Sequence, residues 1–186
     1  MKYVLALASS PRKGNSEWML KRTIQQMNKS QVKIEVIRLA DLRIQLCDGC
    51  LRCEENGECY INDDMSALYD KILAADALLI AIPVRFDSVP SSLKNFIDRL
   101  NPLLFNDRLK GKHVGVLIVG QLTGKEGKAS RKRVLVYMKN VAEICKMNFL
   151  GSVEAEGRMI GDAKIRKVEV ACARFGERLG GELIDS

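Results

Sequence analysis

Five short apolar runs, at residues 2–8, 32–39, 76–82, 113–120 and 149–155, alternate along the chain with amphipathic stretches. Each run is too short for a helix of its own, and most lack the polar alternation of a half-exposed strand. The stretches between them repeat apolar residues at helical spacing. These are Met19, Leu20, Thr23, Ile24 and Met27; then Met65, Leu68, Ile72 and Leu73; then Leu93, Phe96, Ile97 and Leu100. Val134, Tyr137, Val141, Ile144 and Cys145 form a fourth set, and Ile165, Val168, Cys172, Phe175 and Leu179 a fifth. Strand–helix alternation of this kind predicts an α/β, three-layer, doubly wound five-stranded parallel sheet covered on both faces. Asn15 or Ser16 is placed to cap the first helix, Asp63-Asp64 to start the second, Pro83 to close the third strand, and Pro102 to stop the helix before it. In the second strand, Val32, Ile34, Val36 and Arg38 should share a face.

The chain has 186 residues, which suits one domain over 1–186. No repeat or linker divides it. No apolar run approaches the roughly 18 residues of a membrane span, and the apolar N-terminus passes into turn residues too soon for a signal peptide. A cytoplasmic location is therefore expected, where thiols stay reduced. The net charge of +7 favours anionic partners, including a phosphate-bearing cofactor. With aromatics at 5% and no basic–aromatic interleaving, nucleic acid is not expected.

Three loops leave the carboxyl ends of strands one, three and four, where doubly wound sheets bind ligands. Ser9-Ser10-Pro11-Arg12-Lys13-Gly14-Asn15-Ser16 enters a helix N-terminus, a ready anion site of free N–H groups and positive dipole. It matches neither a P-loop nor G-x-G-x-x-G, and a plain capped turn is its bland alternative. Pro83-Val84-Arg85-Phe86-Asp87-Ser88 carries Val84 and Phe86, which suit a planar ring, although Phe86 would equally serve to cover the core. Gly120 to Gly127 reads as a flexible third loop.

A fourth connection, about 44–62, is long and holds four of the six cysteines. Cys47, Cys50, Cys53 and Cys59 are spaced C-x2-C-x2-C-x5-C. Four such thiols suit a [4Fe–4S] cube, while zinc more often takes two separated C-x2-C pairs; unmetallated thiols are the third option. Cys145 and Cys172 fall on apolar helix faces as core residues. His113, the single histidine, reads as structural and rules against a hydrolytic triad. Arg131-Lys132-Arg133 reads as a solvated basic start to a helix or as a docking patch for an acidic partner.

Ser10-Pro11-Arg12-x-Gly14-Asn15-Ser16 resembles the phosphate loop of the NADPH-dependent FMN reductase family. Pro83-Val84 through Ser91-Ser92-Leu93-Lys94-x-Phe96-Ile97-Asp98-Arg99-Leu100 is similar to its second flavin loop and the following helix. The cysteine string, with Asp63-Asp64-Met65 after it, resembles the iron-sulfur flavoprotein branch. The resemblance implies a flavodoxin-like fold of strand order 2-1-3-4-5. It implies FMN phosphate on Ser10, Arg12, Asn15 and Ser16, and Pro83, Val84, Arg85, Phe86, Asp87 and Ser88 along the ribityl chain and ring. It also implies a [4Fe–4S] cluster on Cys47, Cys50, Cys53 and Cys59, and a homodimer or homotetramer with the cysteine loop near a subunit interface. Two departures stand out: Ser9 replaces a usual glycine, and Arg85 stands where tyrosine is common.

The expectation is a redox flavoprotein in which FMN accepts electrons in pairs and a cluster passes them singly. Ferredoxin is the implied donor, and no side chain is needed as general acid or base. A cluster-free NAD(P)H-dependent FMN or quinone reductase is the first rival, and a non-catalytic zinc-stabilised binding module the second.

Overall fold

A computed structural model describes residues 1–27, 32–159, 161–163 and 165–185. Strands β1 (Tyr3–Ala8), β2 (Lys33–Arg38), β3 (Ala77–Pro83), β4 (His113–Gly120) and β5 (Asn148–Glu156) form one sheet in the order β2-β1-β3-β4-β5. Every neighbouring pair is parallel. The helices are α1 (Asn15–Met27), α2 (Arg52–Asn56), α3 (Asp64–Ala74), α4 (Ser91–Asp98), α5 (Asn101–Leu104), α6 (Gly124–Ile144) and α7 (Arg166–Asp185).

The strand sequences explain the layering. Leu5 and Leu7 of β1 point to one face with Leu78, Ile80 and Ile82 of β3 and Val114, Val116 and Ile118 of β4, under α3, α4 and α6. Val4, Ala6 and Ala8 point to the other face with Leu79, Ala81 and Leu117, under α1 and α7. Two covered faces require apolar residues at every position, which is why these strands read as unbroken runs. The edge strand differs: Val32 and Ile34 join the core, but Val36 is exposed. The expected four-residue face on β2 is broken at Val36, although Arg38 beyond it pairs with Glu17 of α1.

Several local expectations change. Pro102 does not end a helix; it sits in the first turn of α5, where a missing N–H costs nothing. The glycine loop after β4 is only three residues long, since α6 already begins at Gly124. Gly127 lies within that first turn because a Cβ there would come 2.0 Å from the Leu122 carbonyl oxygen. Arg131-Lys132-Arg133 consequently falls inside α6 rather than at its start. Ile144 and Ile165, expected to face inward, are exposed at or beyond helix ends. Cys145 and Cys172 are buried as expected, and burial pushes both thiols up.

Helices α1 and α7 lie against each other on one face, and their closest approach is at Gly176. A Cβ there would sit 2.2 Å from the Thr23 carbonyl oxygen, whereas Gly181 on the same helix has open space. Gly176→Ala should therefore destabilise the fold by about 1–3 kcal/mol through overpacking. Gly181→Ala should stabilise it by up to about 1 kcal/mol through helix propensity. Urea unfolding of the two variants checks the opposite signs.

Candidate functional site

Parallel strands bring the ends of β1, β3, β4 and β5 to one rim, and a polar pocket opens there. It is lined by Ser10, Arg12, Gly14, Asn15 and Ser16 from the first loop, Pro83, Val84 and Arg85 from the second, and Val119, Gln121 and Gly157. Its empty volume is about 370 Å³. The first loop is fixed from beneath. Ser9, fully buried, donates its hydroxyl to the Ala81 carbonyl, and its own carbonyl accepts from Ser92 Oγ at 2.9 Å. Ser10 Oγ accepts from the Arg12 backbone N–H, leaving its own O–H to donate. The N-terminus of the 13-residue α1 supplies further N–H groups. This combination of hydroxyls, an arginine and helix N–H groups suits a phosphate monoester.

The side chain of Asn15 has another task. Its Nδ2 donates to the Met159 carbonyl and its Oδ1 accepts from the Gly161 N–H at 2.7 Å. It therefore ties Met159 and Gly161 to the first loop, and Gly157 is where the backbone passes too close to Asn15 for any Cβ. Gly157 had only a faint sequence signal, a glycine just past the last strand. Gln121, within the shortened third loop, is the other wall residue without an assigned role in the sequence.

The second loop divides into two parts. Pro83, Val84 and Arg85 reach the pocket wall, but Phe86, Asp87 and Ser88 do not. Arg85 and Ser88 exchange backbone hydrogen bonds of 2.9 Å each, which closes a two-residue turn with Phe86 and Asp87 at its tip. Both tip residues have positive φ, 46° and 59°. Such turns normally take Asn-Gly, so a phenylalanine here stores strain of about 1–3 kcal/mol. The strained turn projects Phe86 fully into solvent at the pocket rim, neither covering the core nor lining the pocket. Asp87 pairs with Arg133 at 2.9 Å. Arg131 is buried and donates to the Leu122 carbonyl and to Glu156, bracing the third loop. Two of the three residues of the basic run are thus ion-paired.

The cysteine loop forms a second site. Cys47, Cys50, Cys53 and Cys59 line one cavity of about 360 Å³ empty volume, together with Tyr60, Asp98, Arg99 and Pro102 among others. Cys47 and Cys50 are exposed, Cys59 is half-buried and Cys53 is buried. The short helix α2 carries Cys53 inward, starting from Leu51 at positive φ and ending on Gly57. Tyr60 donates to Asp48, and Arg52 stacks over the Tyr60 ring at 4.6 Å. Burial pushes the Cys53 thiol up, and charge on Cys59, Cys50 and Cys47 pushes it the same way. Among the described residues, no group of three or more His, Cys, Asp or Glu side chains is arranged around a single metal ion.

Arg99 and Asp63 hold this loop. Arg99 is 1% exposed, and its two terminal nitrogens donate to both oxygens of Asp63, at 2.7 and 3.2 Å. They also reach the carbonyls of Gln45 and Ile61, one on each side of the cysteine segment. Asp63 caps α3 through the Met65 N–H and accepts from the Gln45 N–H. Sequence reading assigned Arg99 no role, yet it lies three residues after Phe96, as the residue that ends α4 on its buried side. An arginine at such a position demands a buried partner.

The family described as NADPH-dependent FMN reductase matches residues 2–155. A protein named iron-sulfur flavoprotein from Archaeoglobus fulgidus is 29% identical over 177 residues, 93% of this chain and 78% of its own length. A protein named quinone reductase from Escherichia coli is 29% identical over 153 residues, 81% of this chain and 77% of its own. The NAD(P)H:quinone oxidoreductase structure from Methanothermobacter marburgensis superposes with a TM-score of 0.78 at 21% identity, covering 95% of both chains.

Burial opposes ionisation of Asp63, but the Arg99 guanidinium and the N–H groups of Gln45 and Met65 outweigh it and hold the carboxyl below its usual range. A depressed pKa gives stability that is complete above the ordinary carboxylate value and is lost as the pH falls through the lowered one. Asp63→Asn should therefore unfold more readily at pH 7 and show a flatter loss of stability between neutral and acid pH. Urea midpoints measured from pH 7 down to pH 3 read both effects.

Proposed function

The chain belongs to the NADPH-dependent FMN reductase family and is an FMN-dependent oxidoreductase of flavodoxin-like fold; from that premise we propose that it couples a cysteine-bound [4Fe–4S] cluster to FMN in electron transfer. The observation that carries the reading is that all four cysteines of the string line one cavity, with a buried arginine in its wall. A relative named iron-sulfur flavoprotein extends over most of the chain and supports it. Each iron of a cube takes its own thiolate, so the four sulfurs need not converge on one point as around zinc. The oxidoreductase family also sets aside the non-catalytic zinc module.

When bound, FMN accepts electrons in pairs and a cluster passes them one at a time, so together they would join a one-electron donor to a two-electron acceptor. The protein's part is to bind and orient. Ser10, Arg12, Ser16 and the α1 N–H groups would hold the phosphate. Asn15 would act at one remove, by holding Met159 and Gly161 against that loop. Pro83, Val84, Arg85 and Gln121 would line the rest of the flavin, and Phe86 at its strained turn would stand over the ring's open edge. Cys47, Cys50, Cys53 and Cys59 would hold the cluster.

Helix α4 joins the two sites. It is eight residues long, about 12 Å. Its first turn meets the phosphate loop through Ser92, and Asn95 and Arg99 meet the cysteine loop at Ile44 and Gln45. Leu46 and Leu51 are exposed on that loop, in keeping with a homodimer or homotetramer assembled near it. Ferredoxin is the donor class we propose.

A second reading, a cluster-free NAD(P)H-dependent quinone reductase, is favoured by the Escherichia coli relative. Anaerobic purification with iron, sulfide and flavin analysis on one sample separates the two. About four irons and four sulfides per FMN are expected; flavin without iron, bleached by NADPH, would leave the reductase.

Arg85 places a cation at the flavin pocket. A positive charge beside a flavin favours its anionic reduced form. Arg85→Tyr should lower the FMN midpoint potential with little loss of FMN binding, as read by dye-coupled reductive titration. An unchanged potential would show that Arg85 does not reach the ring.

A further inference from the structure

Arg99 has one hydrogen-bonding group that the loop does not use. Its terminal nitrogens are taken by Asp63, Gln45 and Ile61. Its Nε is buried and has no partner among the described residues. An unsatisfied donor on a buried cation is costly and needs an explanation. Arg99 lines the thiol cavity, and Cys59 lies near enough to act electrostatically on it. Tyr69 stands beside the same cysteine and donates its hydroxyl to the Arg99 carbonyl at 2.6 Å.

The Asp63 carboxylate neutralises the far edge of the guanidinium. Nε–H is left as the one donor of Arg99 that the loop does not engage. Neutral thiols have little use for such a donor. Four thiolates around a metal carry net negative charge, and hydrogen bonds to their sulfurs tune the centre. We propose that Arg99 is the positioning residue of this site, closing the cysteine loop with its terminal nitrogens and reserving its Nε–H for the thiolates of an anionic metal centre. The inference rests on the reading of the four cysteines as a metal site.

Two variants separate loop closure from the donor. Arg99→Lys keeps the charge and a bond to Asp63 but has no group equivalent to Nε–H. The double variant Asp63→Asn/Arg99→Gln leaves neutral side chains able to bond each other, so neither is an uncompensated buried charge. Both are compared with the unaltered chain, anaerobically and with FMN affinity as the measure of an intact fold. Metal-free protein is reconstituted with iron and sulfide, and the cluster's charge-transfer absorption and midpoint potential are read by dye-coupled titration.

With FMN affinity retained, both variants should assemble a cluster of lower midpoint potential than the unaltered chain, because a hydrogen bond to a thiolate favours the more negative reduced state. Their sulfur-to-iron charge-transfer absorption should move to longer wavelength, because a thiolate without its donor is more electron-rich. Loop closure alone would not move that band. If either variant retains FMN but keeps the unaltered chain's potential and band position, the assignment to Arg99 is overturned.

A cluster that assembles in all three proteins with the same potential and band leaves the proposed function standing and removes the role of Arg99. A cluster formed only in the unaltered chain, with FMN affinity retained in both variants, supports Arg99 as the positioning residue. No cluster in any of the three removes both readings.

Discussion

The parallel hydrogen-bond ladder is the constraint on which the rest of the molecule depends. With all five strands running one way, every strand-to-helix loop must leave from the same edge of the sheet. Loops that are far apart in sequence, after Ala8, Pro83, Gly120 and Glu156, thereby become walls of one pocket. The same ladder sets the core: strands buried on both faces need apolar residues at successive positions, and β1, β3 and β4 supply them. Function here follows from where the sheet ends, and no single loop carries it.

The second organising interaction is the buried Arg99–Asp63 pair. Removing one partner of such a pair leaves an uncompensated charge and costs about 3–5 kcal/mol. Its bonds to Gln45 and Ile61 clamp both sides of the cysteine segment, and Asp63 at the same time caps α3. Because Arg99 directly follows α4, and Ser92 near the start of α4 holds the phosphate loop, one short rigid element fixes both candidate cofactor sites. A loop that would otherwise be free to wander is held at a defined place relative to the flavin pocket.

Much of this was legible in the sequence, for physical reasons. Buried parallel strands and amphipathic helices leave periodic apolar patterns, and the fold class and strand order followed from them and from the family resemblance. The loop before α1 drew notice because hydroxyl and amide residues entering a helix N-terminus suit an anion as well as a plain capped turn, and the family resemblance favoured the anion. Less legible was anything set by tertiary approach. Asn15 fits a phosphate loop by type, but its side chain is spent on Met159 and Gly161. Phe86 reads as a core or ring-stacking residue, yet a left-handed turn drives it outward. Pro102 was expected to stop the helix before it, yet that helix already ends at Asp98 and Pro102 opens a separate short one, since proline is disfavoured inside a helix and welcome in its first turn. Arg99 was hidden because residue type alone does not reveal a buried guanidinium; only its place at the end of α4, three residues after Phe96, hints at one.

The central claim is that the cysteine site delivers electrons to the flavin pocket. It is tested most directly by anaerobic stopped-flow reduction of the FMN-loaded protein with a one-electron donor, reduced ferredoxin, comparing the unaltered chain with Cys53→Ser at equal FMN content. Cys53 is the cysteine carried inward by α2 and buried, so its loss should break the metal site while leaving the flavin pocket untouched. The account predicts that flavin bleaching becomes much slower in Cys53→Ser while bleaching by NADPH, if present, is unchanged. Equal ferredoxin-driven rates in the two proteins would contradict it.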